Sequence, residues 1–173
     1  MSEDIGRQPQ LEDAAARLAI GEVHAQHSRG LDRLDSALIA ACYWPEAEVD
    51  YGSYKGPAAT FAELVVPVLG ETYALTRHIL SNTLVSLRGD IALTETSVTA
   101  AHLLPEADME VLVYGRYLDR LERRGDCWKM LYRQVVIDWS KRVPVDDSQD
   151  REGFADMAKG SHTRQDPLYL SLI

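Results

Sequence analysis

Cysteine and basic residues are scarce in this chain. Only two cysteines, Cys42 and Cys127, occur among 173 residues, and they form neither a close pair nor a zinc-ligand spacing. We therefore expect a reducing, cytoplasmic setting. Lys and Arg total 18 against 27 Asp and Glu, which gives a net charge of −9. Because such a surface repels phosphate groups, we expect neither nucleic acid nor a membrane surface as a partner.

Long apolar runs and familiar cofactor motifs are also missing. The longest apolar stretch, Ala37 to Trp44, has eight residues, whereas a membrane helix needs roughly 20. The chain has no G-x-G-x-x-G or G-x-x-x-x-G-K-[ST] phosphate loop, no G-x-S-x-G elbow and no H-E-x-x-H. Redox and phosphoryl-transfer chemistry are therefore unsupported, and we expect no cofactor and no metal.

Apolar residues recur at helical spacing in the first part of the chain. This pattern predicts a first helix that begins at Leu11 and ends near Gly30. It predicts a second helix from about Leu34 to Cys42. A third runs from Ala58 to Val66, where Pro67 closes it.

The rest of the chain alternates with the period of strands. A short strand is predicted at Glu48 to Tyr51, and four long ones follow: Leu75 to Leu87, Ile91 to Leu104, Glu110 to Arg123, and Trp128 to Trp139. Helices followed by a meander of antiparallel strands indicate the α+β class. Strands of this length predict a cone-shaped curved antiparallel sheet closed by the N-terminal helices, with a cavity for a small molecule.

This organisation divides the chain into three parts. Residues 1–10 are polar and without periodicity, and we expect a flexible leader. Residues 11–143 form a single α+β cone domain. Residues 144–173 form a C-terminal tail that docks on the domain or on a neighbouring subunit.

A histidine and an aspartate stand where they could carry acid–base chemistry. An imidazole at His78, early in a long strand, can point into the cone and act as a general base. A carboxylate at Asp32, at the end of the first helix, could hold that imidazole in one tautomer. Spacing alone does not show that they touch, and a structural histidine and a solvated loop acid are the alternatives.

Three further residues have two interpretations each. His24 and His27 stand three apart on a helix, a spacing able to hold a metal, but the apolar row around His27 favours a packed, hydrogen-bonded core. Arg133 shares a strand face with apolar residues, so it either binds a buried anion or points out between subunits.

Three stretches carry a family resemblance. They are Gly30-Leu31-Asp32 with Tyr43-Trp44-Pro45-Glu46-Ala47 and Tyr54-Lys55-Gly56-Pro57; His78 opening a long strand; and Gly115-Arg116-Tyr117 leading into the hairpin from Leu121 to Met130 with its Trp128-Lys129 pair. From Leu18 to Trp139 the chain resembles the SnoaL-like branch of the nuclear transport factor 2-like superfamily, especially scytalone dehydratases and hexachlorocyclohexane dehydrochlorinases. The resemblance implies a cystatin-like cone and a homo-oligomer, with a trimer favoured.

The resemblance also implies roles for particular residues. Asp32 and His78 match the dyad of those lyases, in which the histidine abstracts a proton and the aspartate orients it. Tyr51 matches a tyrosine that polarises the substrate, and Arg133 lies near an arginine that assists departure of the leaving group. Four positions are expected to bind substrate: Leu31, Trp44, His102 and Tyr117. Leu31 and Tyr117 replace a tyrosine and an asparagine of the dehydratase, so scytalone is not the expected substrate.

Three functions compete at this point. The first is a cofactor-independent lyase acting on a small aromatic or cyclic substrate, with water, halide or formaldehyde as the leaving group. The second is a non-catalytic subunit like the small subunit of aromatic-ring dioxygenases. The third is a cofactor-free isomerase, which needs the same base.

Overall fold

The predicted helices and strands occur in the predicted order, and the structure adds a short strand before the third helix and a short helix near the C-terminus. The structure is a computed structural model that describes residue 8 and residues 10–106, 109–145 and 152–170. Its elements in chain order are α1 (Leu11–Asp32), α2 (Ser36–Ala41), β1 (Tyr43–Asp50), β2 (Lys55–Pro57), α3 (Ala58–Thr72), β3 (Leu75–Arg88), β4 (Ile91–Leu103), β5 (Met109–Arg124), β6 (Cys127–Pro144), a 3₁₀ turn (Glu152–Phe154) and α4 (Pro167–Leu170). The leader predicted over residues 1–10 lies outside the described residues, apart from residues 8 and 10.

The six strands form one curled sheet in the order β2-β1-β6-β5-β4-β3. Strands β3 to β6 pair antiparallel, as the meander pattern predicts. However, β1 pairs with β6 in parallel, from Tyr43 opposite Met130 to Asp50 opposite Gln134. The sheet is therefore mixed rather than wholly antiparallel. The α+β cone is confirmed.

The core lies between the helices and the concave face of this sheet. Side chains of β4 alternate, and the even-numbered positions from Ala92 to His102 are the buried ones. Large core residues come from both layers: Ile20, Leu31, Ile39, Phe61, Leu121 and Met130. No helix in the described part of the chain is both long and apolar enough to span a bilayer.

Two predicted helix ends are wrong. Helix α1 continues through Gly30 to Asp32, because Gly30 serves close packing rather than termination. A Cβ at Gly30 would lie 2.7 Å from Cγ1 of Ile39. Helix α3 continues through Pro67 to Thr72, and its last turn is held to the core by buried Leu69.

The C-terminal segment, residues 152–170, folds back beside the start of β3. Nε2 of His162 accepts a hydrogen bond from the backbone N–H of Thr76 at 3.0 Å. The Arg33 guanidinium, just after α1, donates to the Ser161 carbonyl at 3.4 Å and lies 3.7 Å from the Asp166 carboxylate. These contacts place the segment next to the C-terminal end of α1, which carries Asp32, and next to the start of β3, which carries His78.

Candidate active site

Asp32 and His78 meet although 46 residues separate them. Asp32 is the last residue of α1, and His78 is the fourth residue of β3. Their side chains join through Oδ1 and Nδ1 at 2.7 Å, and the backbone N–H of His78 donates to both carboxylate oxygens at 3.0 Å. Because a carboxylate only accepts, Nδ1 carries the hydrogen, and Nε2 is left as the basic nitrogen.

A cleft of about 310 Å³ opens beside this pair, between α1 and β3. Its volume is at the lower end of the range for small-molecule sites. The residues that line it are Ala25, Ser28, Arg29, Asp32, Arg33, His78 and Leu80. Five of these seven are polar or charged.

His102 lies on the inner face next to His78. The two rings meet edge to face with centroids 5.6 Å apart, and Tyr73 stacks on the His102 ring at 4.4 Å. Burial, with a smaller contribution from His78, lowers the pKa of His102 to about 4. Its Nδ1 is buried and has no hydrogen-bond partner among the described residues. The structure therefore places a neutral imidazole against the dyad.

A second polar centre is completely buried. The Arg133 side chain donates to both oxygens of Asp119, from Nε at 2.7 Å and from Nη2 at 2.8 Å. Its Nη1 lies 3.0 Å from Nδ1 of His27, and Nε2 of His27 lies 3.0 Å from the Tyr43 hydroxyl. Because a guanidinium only donates, Nδ1 of His27 accepts and its Nε2–H donates to Tyr43. We call these four residues the buried network.

Burial and the Arg133 charge together determine which groups of this network are charged. Burial alone would raise the pKa of Asp119, but the adjacent Arg133 charge overrides it and holds the carboxyl well below its usual range. Burial, followed by the Arg133 charge, lowers the pKa of His27 well below its usual value. His27 is therefore neutral near pH 7, and the ion pair is confined to Arg133 and Asp119.

Aromatic rings and one further histidine surround the network. The guanidinium carbon of Arg133 lies 4.0 Å from the centre of the Tyr117 ring, and Nε2 of His24 is 3.1 Å from Asp119. Tyr51 stacks on Phe61 at 4.0 Å, and its buried hydroxyl faces Arg133 and Tyr43. His24 and His27 are thus packed core residues. No group of three or more potential metal ligands occurs in the described ranges.

Six residues predicted for the site are not among those that line the cleft: Leu31, Trp44, Tyr51, His102, Tyr117 and Arg133. Leu31 is 2% exposed and belongs to the hydrophobic core. Trp44 donates from Nε1 to the Glu122 carbonyl at 3.0 Å, and Arg124 covers its ring at 4.5 Å. Because side chains alternate along a strand, the inward position of Tyr43 turns Trp44 to the opposite face. Neither Leu31 nor Trp44 is therefore retained in the site.

The structure also includes residues that the sequence interpretation missed. Asp119, Tyr43 and Ser28 were not singled out, although Asp119 carries a usable signal. It stands between Tyr117 and Leu121 in an alternating strand, so it occupies an inward position and requires a buried cation. Ser28 has no comparable signal, because a serine on a helix is ordinary.

Comparisons with known proteins agree with the fold. A family profile described as a SnoaL-like domain matches residues 12–134. Hexachlorocyclohexane dehydrochlorinase 1 of Sphingobium indicum is 28% identical over an alignment of 124 residues that covers 69% of this chain and 80% of the relative.

Solved structures show the same fold at lower identity. A candidate scytalone dehydratase of Novosphingobium aromaticivorans superposes with a TM-score of 0.69 at 20% identity, over 79% of this chain and 93% of that one. A type 2 hexachlorocyclohexane dehydrochlorinase gives a TM-score of 0.69 at 23% identity, over 83% and 98%. At these identities the structures establish the fold alone.

Proposed function

This chain belongs to the SnoaL-like domain family, and we propose that it is a cofactor-independent lyase in which His78 removes a proton from a small-molecule substrate. The observation that carries the proposal is the 2.7 Å hydrogen bond from His78 Nδ1 to Asp32 at the edge of an open cleft. The names of two similar proteins, a dehydrochlorinase and a candidate dehydratase, both denote eliminations.

The proposed reaction uses the nitrogen that the dyad leaves free. Nε2 of His78 takes a proton from a substrate carbon, and the electron pair of that C–H bond forms the new double bond. The leaving group on the neighbouring carbon departs with its own bonding pair. Asp32 stabilises the imidazolium that forms. General-base assistance of this kind accelerates a reaction by about 100- to 10,000-fold.

Arg133 and Tyr51 are proposed to assist departure of the leaving group. Three N–H groups of Arg133 are engaged by Asp119 and His27, and a guanidinium has five. The buried hydroxyl of Tyr51 faces Arg133 and Tyr43. Tyr117 and His102 supply ring faces for an aromatic or cyclic substrate. Hydroxide and halide depart in this way. For release of an aldehyde, His78 takes the proton of a substrate hydroxyl instead, the O–H pair forms the aldehyde carbonyl, and the pair of the cleaved C–C bond forms the new double bond as hydroxide leaves the next carbon.

Replacement of the base tests the proposal. Wild type and His78→Ala are assayed for chloride release from hexachlorocyclohexane and for scytalone dehydration, followed by a panel of small aromatic acids and alcohols. We expect kcat/KM to fall by about 100-fold or more with the thermal unfolding midpoint preserved. Arg77→Ala is the matched control, because Arg77 precedes His78 and its exposed side chain lies on the other face of β3. Unchanged turnover in His78→Ala contradicts the proposal.

The dyad beside an open cleft favours an enzyme over a non-catalytic subunit. A purely structural domain has no need of a histidine with one free nitrogen at a cleft, whereas proton abstraction requires it. An isomerase would use the same residues, since it returns the proton to the substrate. Mass spectrometry of the product separates the two, because only the lyase product loses a group.

A further inference from the structure

A serine hydroxyl lies next to the dyad without a partner. Ser28 stands one helical turn before Asp32 on α1, so both side chains project from one face of the helix. The residue is 5% exposed, and its Oγ makes no hydrogen bond with any described residue. Ser28 lines the same cleft as Asp32 and His78. Because an unpaired buried hydroxyl is costly, a polar ligand atom in the cleft would complete its bonding.

Two arginines line the same cleft. Arg33 is already engaged, with Ser161 and Asp166 of the C-terminal segment. Arg29 is exposed, and its side chain makes no hydrogen bond or ion pair with another described residue. The carboxylate in the cleft, Asp32, is bonded to His78. The cleft therefore presents one uncommitted positive charge, although the chain as a whole carries −9.

From this arrangement we infer that the substrate bears a carboxylate, which Arg29 and Ser28 bind beside the dyad. The inference rests on the proposed lyase function and narrows its substrate class. A guanidinium pairs with a carboxylate through two parallel N–H donors, and a serine hydroxyl adds a third hydrogen bond. A neutral apolar substrate would leave both groups unused. The carboxylate takes no part in the bond changes, so proton and electron pairs move as written above.

Binding of benzoate and of benzamide, its neutral isostere, tests the inference without requiring turnover. Both are titrated into the full chain while the His78 imidazole is followed by NMR. We expect benzoate to bind about tenfold more tightly than benzamide and to shift the His78 signals.

Three variants test which residues cause the preference for benzoate over benzamide. Arg29→Gln is expected to weaken benzoate about tenfold and to leave benzamide unchanged, whereas Arg29→Lys restores part of the loss. Ser28→Ala weakens both ligands severalfold and leaves the unfolding midpoint unchanged or higher, because it removes an unpaired buried hydroxyl. Arg77→Gln, on the outer face of β3, is the charge-matched control and changes neither affinity.

Several outcomes would overturn the inference. They are equal affinity for benzoate and benzamide, no response at His78, and equal weakening by Arg29→Gln and Arg77→Gln. Loss of the proposed function has a different signature. In that case benzoate binds as described, but turnover is the same in wild type and His78→Ala.

Discussion

In both the dyad and the buried network, Nδ1 of a histidine makes a hydrogen bond, but the two centres differ in whether the other ring nitrogen is free. Nδ1 of His78 donates to Asp32, which leaves Nε2 unengaged beside a cleft. Nδ1 of His27 accepts from Arg133, and its Nε2 donates to Tyr43, so both nitrogens are used. Burial also lowers the pKa of His27 well below its usual value. A general base needs an accessible nitrogen with a free lone pair, and of these two centres the dyad is the one that offers it.

Removal of Asp119, the anion of the buried network, should cause the largest loss of unfolding free energy. Asp119→Ala leaves the Arg133 charge buried without its partner, which costs about 3–5 kcal/mol of unfolding free energy. Urea denaturation of the purified variant measures this loss. Asp119→Asn, which keeps an acceptor for one of the two hydrogen bonds, is expected to lose less. A loss below about 1 kcal/mol for Asp119→Ala would show that the network is not a structural centre.

The dyad should respond in the opposite way, with activity lost and stability kept. Asp32→Asn replaces an acceptor by a group that can donate to Nδ1 of His78, which favours the tautomer in which Nε2 is protonated. We expect kcat/KM to fall about 100-fold with little change in urea denaturation. Asp35→Asn is the matched control, because it removes the same charge three residues away and asparagine caps α2 equally well. Equal effects of the two substitutions would reduce the role of Asp32 to general electrostatics.

Acid should destabilise the chain through its neutral buried histidines. The pKa of His27 is lowered and that of His102 falls to about 4, whereas an unfolded histidine titrates near 6.5. The unfolded state therefore takes up protons first as the pH falls below about 6.5, and stability declines from there towards pH 4. Each histidine contributes at most about 1.4 kcal/mol per pH unit. Across this range, the unfolding free energy from urea denaturation should vary less with pH in His102→Gln than in wild type. A wild-type unfolding free energy that does not change with pH would contradict the lowered pKa values of these histidines.

Patterns of local sequence predicted the fold well and the site in part. The alternation of apolar and polar residues predicts the four long strands, because one face of each strand is buried. It cannot give the parallel pairing of β1 with β6, since that depends on contacts between distant residues. The family resemblance brought Asp32 and His78 together, and the structure places them in contact. The resemblance alone could not show that Trp44 bonds to the Glu122 carbonyl on the strand face opposite Tyr43, because one residue of register exchanges the two faces of a strand.

A surface ion pair between the same residue types should show how much the contribution of the Arg133–Asp119 pair to stability depends on burial. Arg123 Nη2 lies 2.7 Å from Asp90 Oδ1, as close as the contact of Arg133 with Asp119, but the two side chains are 45% and 65% exposed. Asp90→Ala should therefore cost less than about 1 kcal/mol in urea denaturation, because water solvates the remaining guanidinium. The backbone bond from Arg123 N–H to the Asp90 carbonyl survives the substitution. A loss as large as that of Asp119→Ala would mean that hydrogen-bond length, rather than desolvation, sets the strength of ion pairs in this protein.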